Sequence, residues 1–170
     1  MRKVLFGFVL CLVVLLVGAL LYFGLGLAPV ATSAPPMPFE SLLAGMALHA
    51  QISKGAPSQA PIAADEPNLL AGARIYREQC AVCHGLSGQP ETAIAKGMFP
   101  HPPQLWTGHG VTDDPPGETY WKAANGIRLT GMPGYKGSLS DTQLWQVSLM
   151  LANADKLPAA AKAAVSEPLK

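Results

Sequence analysis

The sequence predicts an all-α fold: short helices behind a longer, apolar N-terminal helix. Three observations point there. Pro and Gly are frequent, 16 and 17 of 170 residues, which favours short helices joined by loops. Apolar residues recur at helical spacing in several separate segments. An uncharged stretch from Val4 to Leu27 opens the chain. The formal net charge is only +1, so there is neither a basic footprint for nucleic acid nor an acidic tail.

Met1-Arg2-Lys3 forms a short positive head before that stretch. A helix over 4–27 would reach ~36 Å, beyond the ~30 Å hydrocarbon core of a bilayer. The apolar core of a cleavable signal is shorter, about 7–15 residues. The expectation is therefore a single-pass inner-membrane anchor, with a signal peptide cut near Ala34 as the alternative. Pro35 is a poor neighbour for such a cut. By the positive-inside bias, residues 1–3 stay cytoplasmic and everything beyond residue 30 faces the periplasm. Cys11 lies inside the apolar run and reads as an inert residue in lipid. A lipidation site there would want a small residue before it, and Leu10 is bulky.

Residues 28–66 read as a linker. Its first part, 28–38, is rich in Pro, Ala, Ser and Thr and suits a semi-rigid spacer. Within it, 39–52 turns apolar, with Phe39, Leu42, Leu43, Met46 and His49 at helical spacing. This predicts a short amphipathic helix, lying on the membrane or a partner or packing on its own domain. Residues 53–67 return to loop composition, and the folded domain is expected over 67–157. Its first helix has Asn68 as N-cap with Pro67 just outside. Leu69, Ala73, Tyr76, Cys80 and Cys83 then fall on one face. Gly72 on that helix would permit a close helix crossing.

The chemistry sits in Cys80-Ala81-Val82-Cys83-His84. Two thiols separated by two residues on a helical turn can meet the two vinyl groups of a haem, and the following histidine then faces the iron. Zinc would want a second ligand pair, and no other cysteine remains in the domain. A thioredoxin-like site would want a βαβ setting, which is not readable here. The motif thus predicts one covalent haem c on Cys80 and Cys83, with His84 as proximal ligand. The other ring nitrogen of His84 needs an acceptor. The rigid run His101-Pro102-Pro103-Gln104-Leu105 can offer a backbone carbonyl.

Met98, His101, His109, Met132 and Met150 are the candidates for the sixth ligand. Met132 stands between Gly131 and Pro133, which hold the backbone and let the thioether project from a loop. Met98, in Gly97-Met98-Phe99-Pro100, is a look-alike, and Met150 follows a core helical pattern. His101 or His109 would give a bis-histidine haem of lower potential, whereas methionine opposite histidine raises it. Trp106, Trp121 and Arg128 could reach the haem propionates through an indole N–H or a guanidinium.

Cys80 to Gly85, Pro102-Pro103-Gln104-Leu105, Asn125-Gly126-Ile127, Gly131-Met132-Pro133 and a last helix with Trp145 resemble class I monohaem cytochrome c. Among its members, the haem subunits of cbb3-type oxidases are most similar, although this chain has a single CxxCH. The resemblance covers 67–157. It implies a small cytochrome c fold in which an N-terminal helix crosses a C-terminal one. It also implies His84 and Met132 as axial ligands, thioethers on Cys80 and Cys83, and a Pro102 or Pro103 carbonyl receiving the His84 proton.

The remaining elements agree with that fold. A short helix over 117–124 is stopped by Asn125-Gly126. Ser140 and Gln143 form a capping box at the last helix, with Leu139 and Leu144 as its staple. That helix turns Leu144, Val147, Ser148 and Leu151 inward. Residues 158–170 read as a flexible tail. The functional expectation is one-electron transfer between redox protein partners, not catalysis, by a free carrier or by a subunit of a respiratory or photosynthetic complex. A labile sixth site would instead make a haem enzyme or gas sensor, with His101 and His109 as distal candidates.

Overall fold

The computed structural model describes residues 1–106 and 114–168. Among the described residues the secondary structure is helical throughout, with no strand. The chain divides into two units, Met1–Leu43 and Ala44–Lys170.

The first unit carries α1, Arg2–Gly24. Its mean hydropathy reaches 3.2 with none of that window buried. By length and composition it can cross a membrane, a property a signal sequence shares. The helix takes in Arg2 and Lys3 and stops at Gly24, short of the end of the apolar run. The reason is Gly26, whose φ of 71° turns the chain back. The N–H groups of Gly26 and Leu27 then close on the carbonyls of Phe23 and Tyr22, both at 3.1 Å.

Helix α2, Glu40–Gly55, begins in the first unit and continues into the second. Its start matches the apolar spacing, and its end runs past Ile52. Phe39, Leu42, Leu43 and Met46 are exposed, as is His49, whereas Ile52 is buried. In the second unit the end of α2 and the residues after it are part of the folded body. A Cβ on Gly55 would lie 2.6 Å from the Trp121 indole nitrogen, and one on Gly117 would lie 1.8 Å from the Pro57 carbonyl oxygen. Ala60 and Ile62 pack on the main core. The reading of 53–66 as open linker is therefore corrected: its Gly and Pro residues permit close backbone contacts.

The second unit continues with α3 (Glu66–Gln79), α4 (Ala81–His84), α5 (Ala93–Lys96), α6 (Pro116–Asn125), α7 (Asp141–Ala152) and α8 (Ala159–Ser166). Asp65, not Asn68, caps α3: its carboxylate accepts the Asn68 N–H at 3.1 Å. Pro67 sits inside the first turn, where its missing N–H costs nothing. The Asn68 side chain instead bridges outward, donating to Ala63 O and accepting from Gln146 Nε2, both at 3.0 Å.

Helix α3 packs against α7 and α8, and α7 also against α6. Gly72 is the point of closest approach, since a Cβ there would fall 2.1 Å from the Gln146 carbonyl oxygen. The capping box at Ser140 and Gln143 is complete, and Leu144, Val147, Ser148, Met150 and Leu151 are all buried. Residues 158–168 are not a loose tail. Helix α8 buries Ala161 and Val165 completely in the core shared with α3 and α7, and Arg77 of α3 pairs with Glu167 at 2.6 Å.

Candidate haem centre

Three consecutive turns of chain position the site. Helix α3 ends at Gln79 and Cys80 forms the joint, with φ −114° and ψ −36°. Helix α4 then carries Cys83 and His84 and is stopped by Gly85 at φ 75°. That left-handed turn suits glycine. Neither cysteine is in a disulfide. Burial pushes the Cys80 thiol up to about 12, and the neighbouring Cys83 adds to the shift.

The His84 ring is fixed by its Nδ1, which lies 2.9 Å from the Pro103 carbonyl oxygen. A carbonyl only accepts, so Nδ1 carries the proton and Nε2 keeps a lone pair that could bind a metal. The Pro102 carbonyl is turned elsewhere and accepts from the Gln104 amide at 3.4 Å.

Two side chains that the sequence did not mark as functional brace this segment. The Tyr76 hydroxyl donates to Gly85 O at 2.8 Å and accepts the Trp106 indole N–H at 3.0 Å. Gln104 donates to Cys83 O at 2.9 Å. Together with the Leu105 N–H on His84 O at 3.2 Å, they tie down successive carbonyls around the histidine. Burial raises the Tyr76 hydroxyl well above the ordinary tyrosine range, so it stays a neutral donor. Trp106, a candidate for a propionate contact, gives its indole N–H to Tyr76. The signal for Tyr76 was its place on the inward face of α3; nothing local announced its polar partners.

The other described candidate residues lie on α6, on α7 and on the segments after α5 and α6. Gly126, at φ 67°, reverses the chain at the end of α6. The loop that follows is internally bonded. Ile127 N–H meets Met132 O at 3.2 Å, Thr130 Oγ1 donates to Ile127 O at 2.7 Å, and Met132 N–H donates to Thr130 Oγ1 at 3.1 Å. Beyond it, Tyr135 and Lys136 N–H bond Ala123 and Ala124 carbonyls at 2.9 and 3.1 Å. The Tyr135 hydroxyl reaches Gln79 O at 2.7 Å, next to Cys80. Met132 is thus half-buried on a braced loop stapled to the end of α3. Met98 packs its methyl against Gly131. Met150 is wholly buried in the core. His101 is exposed and ion-paired with Glu91. Trp121 packs on Gly55, and Arg128 is exposed. His109 lies outside the described residues.

The donor set fits covalent haem: two thiols, a histidine with its tautomer fixed, and a thioether on a separate rigid loop. Among the described residues, no three His, Cys, Asp or Glu side chains cluster as a metal site of another kind.

Helical architecture, the CxxCH turn and the crossing at Gly72 together define a class I c-type cytochrome, with haem c attached through Cys80 and Cys83. The sequence comparisons agree. Residues 67–149 match the family described as cytochrome c oxidase, cbb3-type, subunit III, and this part of the chain is a class I cytochrome c domain. The chain is 38% identical over 82 residues to thiosulfate dehydrogenase of Stutzerimonas stutzeri (strain A1501), which covers 48% of this chain and 25% of that protein. It thus spans about a quarter of that relative's length. Among solved structures, a chain of the reducing HAO-like protein complex of Kuenenia stuttgartiensis aligns with a TM-score of 0.48 at 26% identity, covering 56% of this chain and 47% of that one.

Proposed function

We propose that the protein is a membrane-anchored, single-haem electron carrier with His84 and Met132 as axial ligands. The observation that carries this reading is the pairing of a fixed His84 imidazole, Nδ1 at 2.9 Å from Pro103 O, with a Met132 loop braced by its own hydrogen bonds. Bound haem c supplies an iron that cycles between two oxidation states one electron apart. The chain does the rest. Cys80 and Cys83 hold the macrocycle, the Pro103 carbonyl keeps His84 in one tautomer, and Met132 fills the sixth position. A filled sixth site excludes small substrates from the metal and favours electron transfer over catalysis. Methionine opposite histidine also places the couple at the positive end of the haem range. Helix α1 acts as the anchor, with the haem domain on the periplasmic side of the inner membrane.

The test is spectroscopic. The oxidised protein should show the methionine–iron charge-transfer band, and Met132→Ala should lose it. Rapid carbon monoxide binding by the reduced wild-type protein would overturn the carrier reading.

A second reading follows from the likeness to thiosulfate dehydrogenase. The domain would then serve as the electron-accepting subunit of an oxidoreductase complex, with the same haem chemistry. Isolation in mild detergent separates the two: intact neighbouring subunits support the complex, and a monodisperse lone protein supports the carrier.

A further inference from the structure

Met98 stands out once Met132 is taken as ligand, because the two loops meet. A Cβ built on Gly131 would fall 2.0 Å from Met98 Cε and 3.5 Å from its Sδ. The Met98 methyl therefore occupies the volume that any other residue at 131 would need. A side chain at 131 would have to displace that methyl; the backbone angles set no such demand, since the φ of Gly131 is not in the left-handed region.

The contact closes a mechanical path between the two axial residues. Val82, on the same short helix as His84, accepts from Thr92 Oγ1 at 2.5 Å through its carbonyl. Thr92 caps α5, its hydroxyl accepting the Ala95 N–H at 3.1 Å. The Met98 N–H returns to Ala95 O at 3.2 Å, and Ala95 is buried. Met98 then reaches across to Gly131, directly before Met132. The loop from Ile127 to Met132 is bonded to itself, and Tyr135 beyond it ties it to the end of α3; Met98 adds a second tie, to Gly131 itself. A methionine suits this task, because its unbranched chain and soft thioether fill irregular gaps.

We propose that Met98 is a positioning residue for Met132: by packing on Gly131 it sets the distance between the Met132 loop and the helix that carries His84. This rests on the reading of Met132 as the sixth ligand. Truncating Met98 leaves the folded core intact and loosens the sixth ligand.

The experiment compares holoproteins carrying Met98→Ala, Met98→Leu, Gly131→Ala, the Met98→Ala/Gly131→Ala pair and Met132→Ala. The readouts are the methionine–iron band, the rate of cyanide capture by the oxidised form, and Tm. Met98→Ala should weaken the band and speed cyanide capture roughly tenfold, equivalent to about 1.4 kcal/mol in the opening of the sixth position. Tm should stay near wild type. Met98→Leu, which refills the space, should restore both readouts. Gly131→Ala should act in the same direction, and the double variant should show less than the sum of the two, because truncating Met98 relieves the overlap that a methyl at 131 would create.

If Met132→Ala loses the band while Met98→Ala matches wild type, the positioning role is overturned and the ligand assignment stands. Additive effects in the double variant, or a Met98→Leu no better than Met98→Ala, also overturn it. If Met98→Ala abolishes the band and Met132→Ala keeps it, Met98 is itself the ligand and both readings fail. A wild-type protein without the band overturns both as well.

Discussion

At the scale of single residues, the polar contacts of Tyr76 do more than its burial suggests. One hydroxyl satisfies the Gly85 carbonyl and the Trp106 N–H together, and the two rings also pack edge to face at 5.6 Å. Tyr76→Phe leaves both groups without that partner, at a cost of about 1–3 kcal/mol. The denaturation midpoint of the holoprotein should fall accordingly, with its thioethers intact. Gly72 is under a harsher constraint, because the atom it faces is the Gln146 backbone oxygen, which cannot swing aside. Gly72→Ala should cost roughly 1–3 kcal/mol by overpacking, read as a lower Tm and a lower yield of haem-loaded protein. Both residues were visible in the sequence as far as their position on the helix. Gly72 could be read further, because a small residue on an inward-facing helix announces a crossing. The partners of Tyr76 could not, since Gly85 and Trp106 reach it only through tertiary folding.

Among the elements, α8 shows why tail composition misleads. Ala159 to Ala164 carry a weak apolar signal, and Pro158 and Pro168 flank the segment, so periodicity offered little to read. Yet methyl groups suit a close fit against α3, and Ala161 and Val165 are fully buried. Val165→Asp would bury an unpaired charge and should release α8. Hydrogen exchange in α3 and proteolysis after Leu157 should both rise, while the haem spectrum is kept. The start of α3 misled for another reason. Asp65 and Asn68 are both good caps three residues apart, and Pro67 fits either frame. The CxxCH turn and the Ser140–Gln143 box were legible because each is contained in five consecutive residues or fewer.

For the whole molecule, charge and pH give two further expectations. With a net charge of +1, long-range steering is weak, so the rate of reduction by a partner should be nearly flat with ionic strength. A steep salt dependence would point to a charged docking patch instead. The contact of α6 with α7 carries an alkaline sensitivity. Tyr120 donates to Asp141 and stacks on Trp145 at 4.4 Å. That hydrogen bond, then burial, then the Asp141 charge raise Tyr120 above its ordinary 10.0. The folded state therefore keeps a proton that the unfolded chain releases first. The stabilisation is complete below pH 10 and fades as pH climbs from there through the raised value. Tm of the holoprotein should drop above that point, and Tyr120→Phe should show a shallower drop from a lower start. The packing of 53–62 on the folded body left no trace in the sequence, because the close approaches of the Trp121 ring to Gly55 and of Gly117 to the Pro57 carbonyl have no periodic signature.

The half-buried Cys80 thiol also bears on how haem is loaded. Bond formation at sulfur needs thiolate character and access, and the closed chain offers little of either, since Cys80 packs against the core cluster and its proton is held by burial. On that ground, apoprotein that has already folded should couple haem more slowly than chain held open in mild denaturant, read as thioether yield over time.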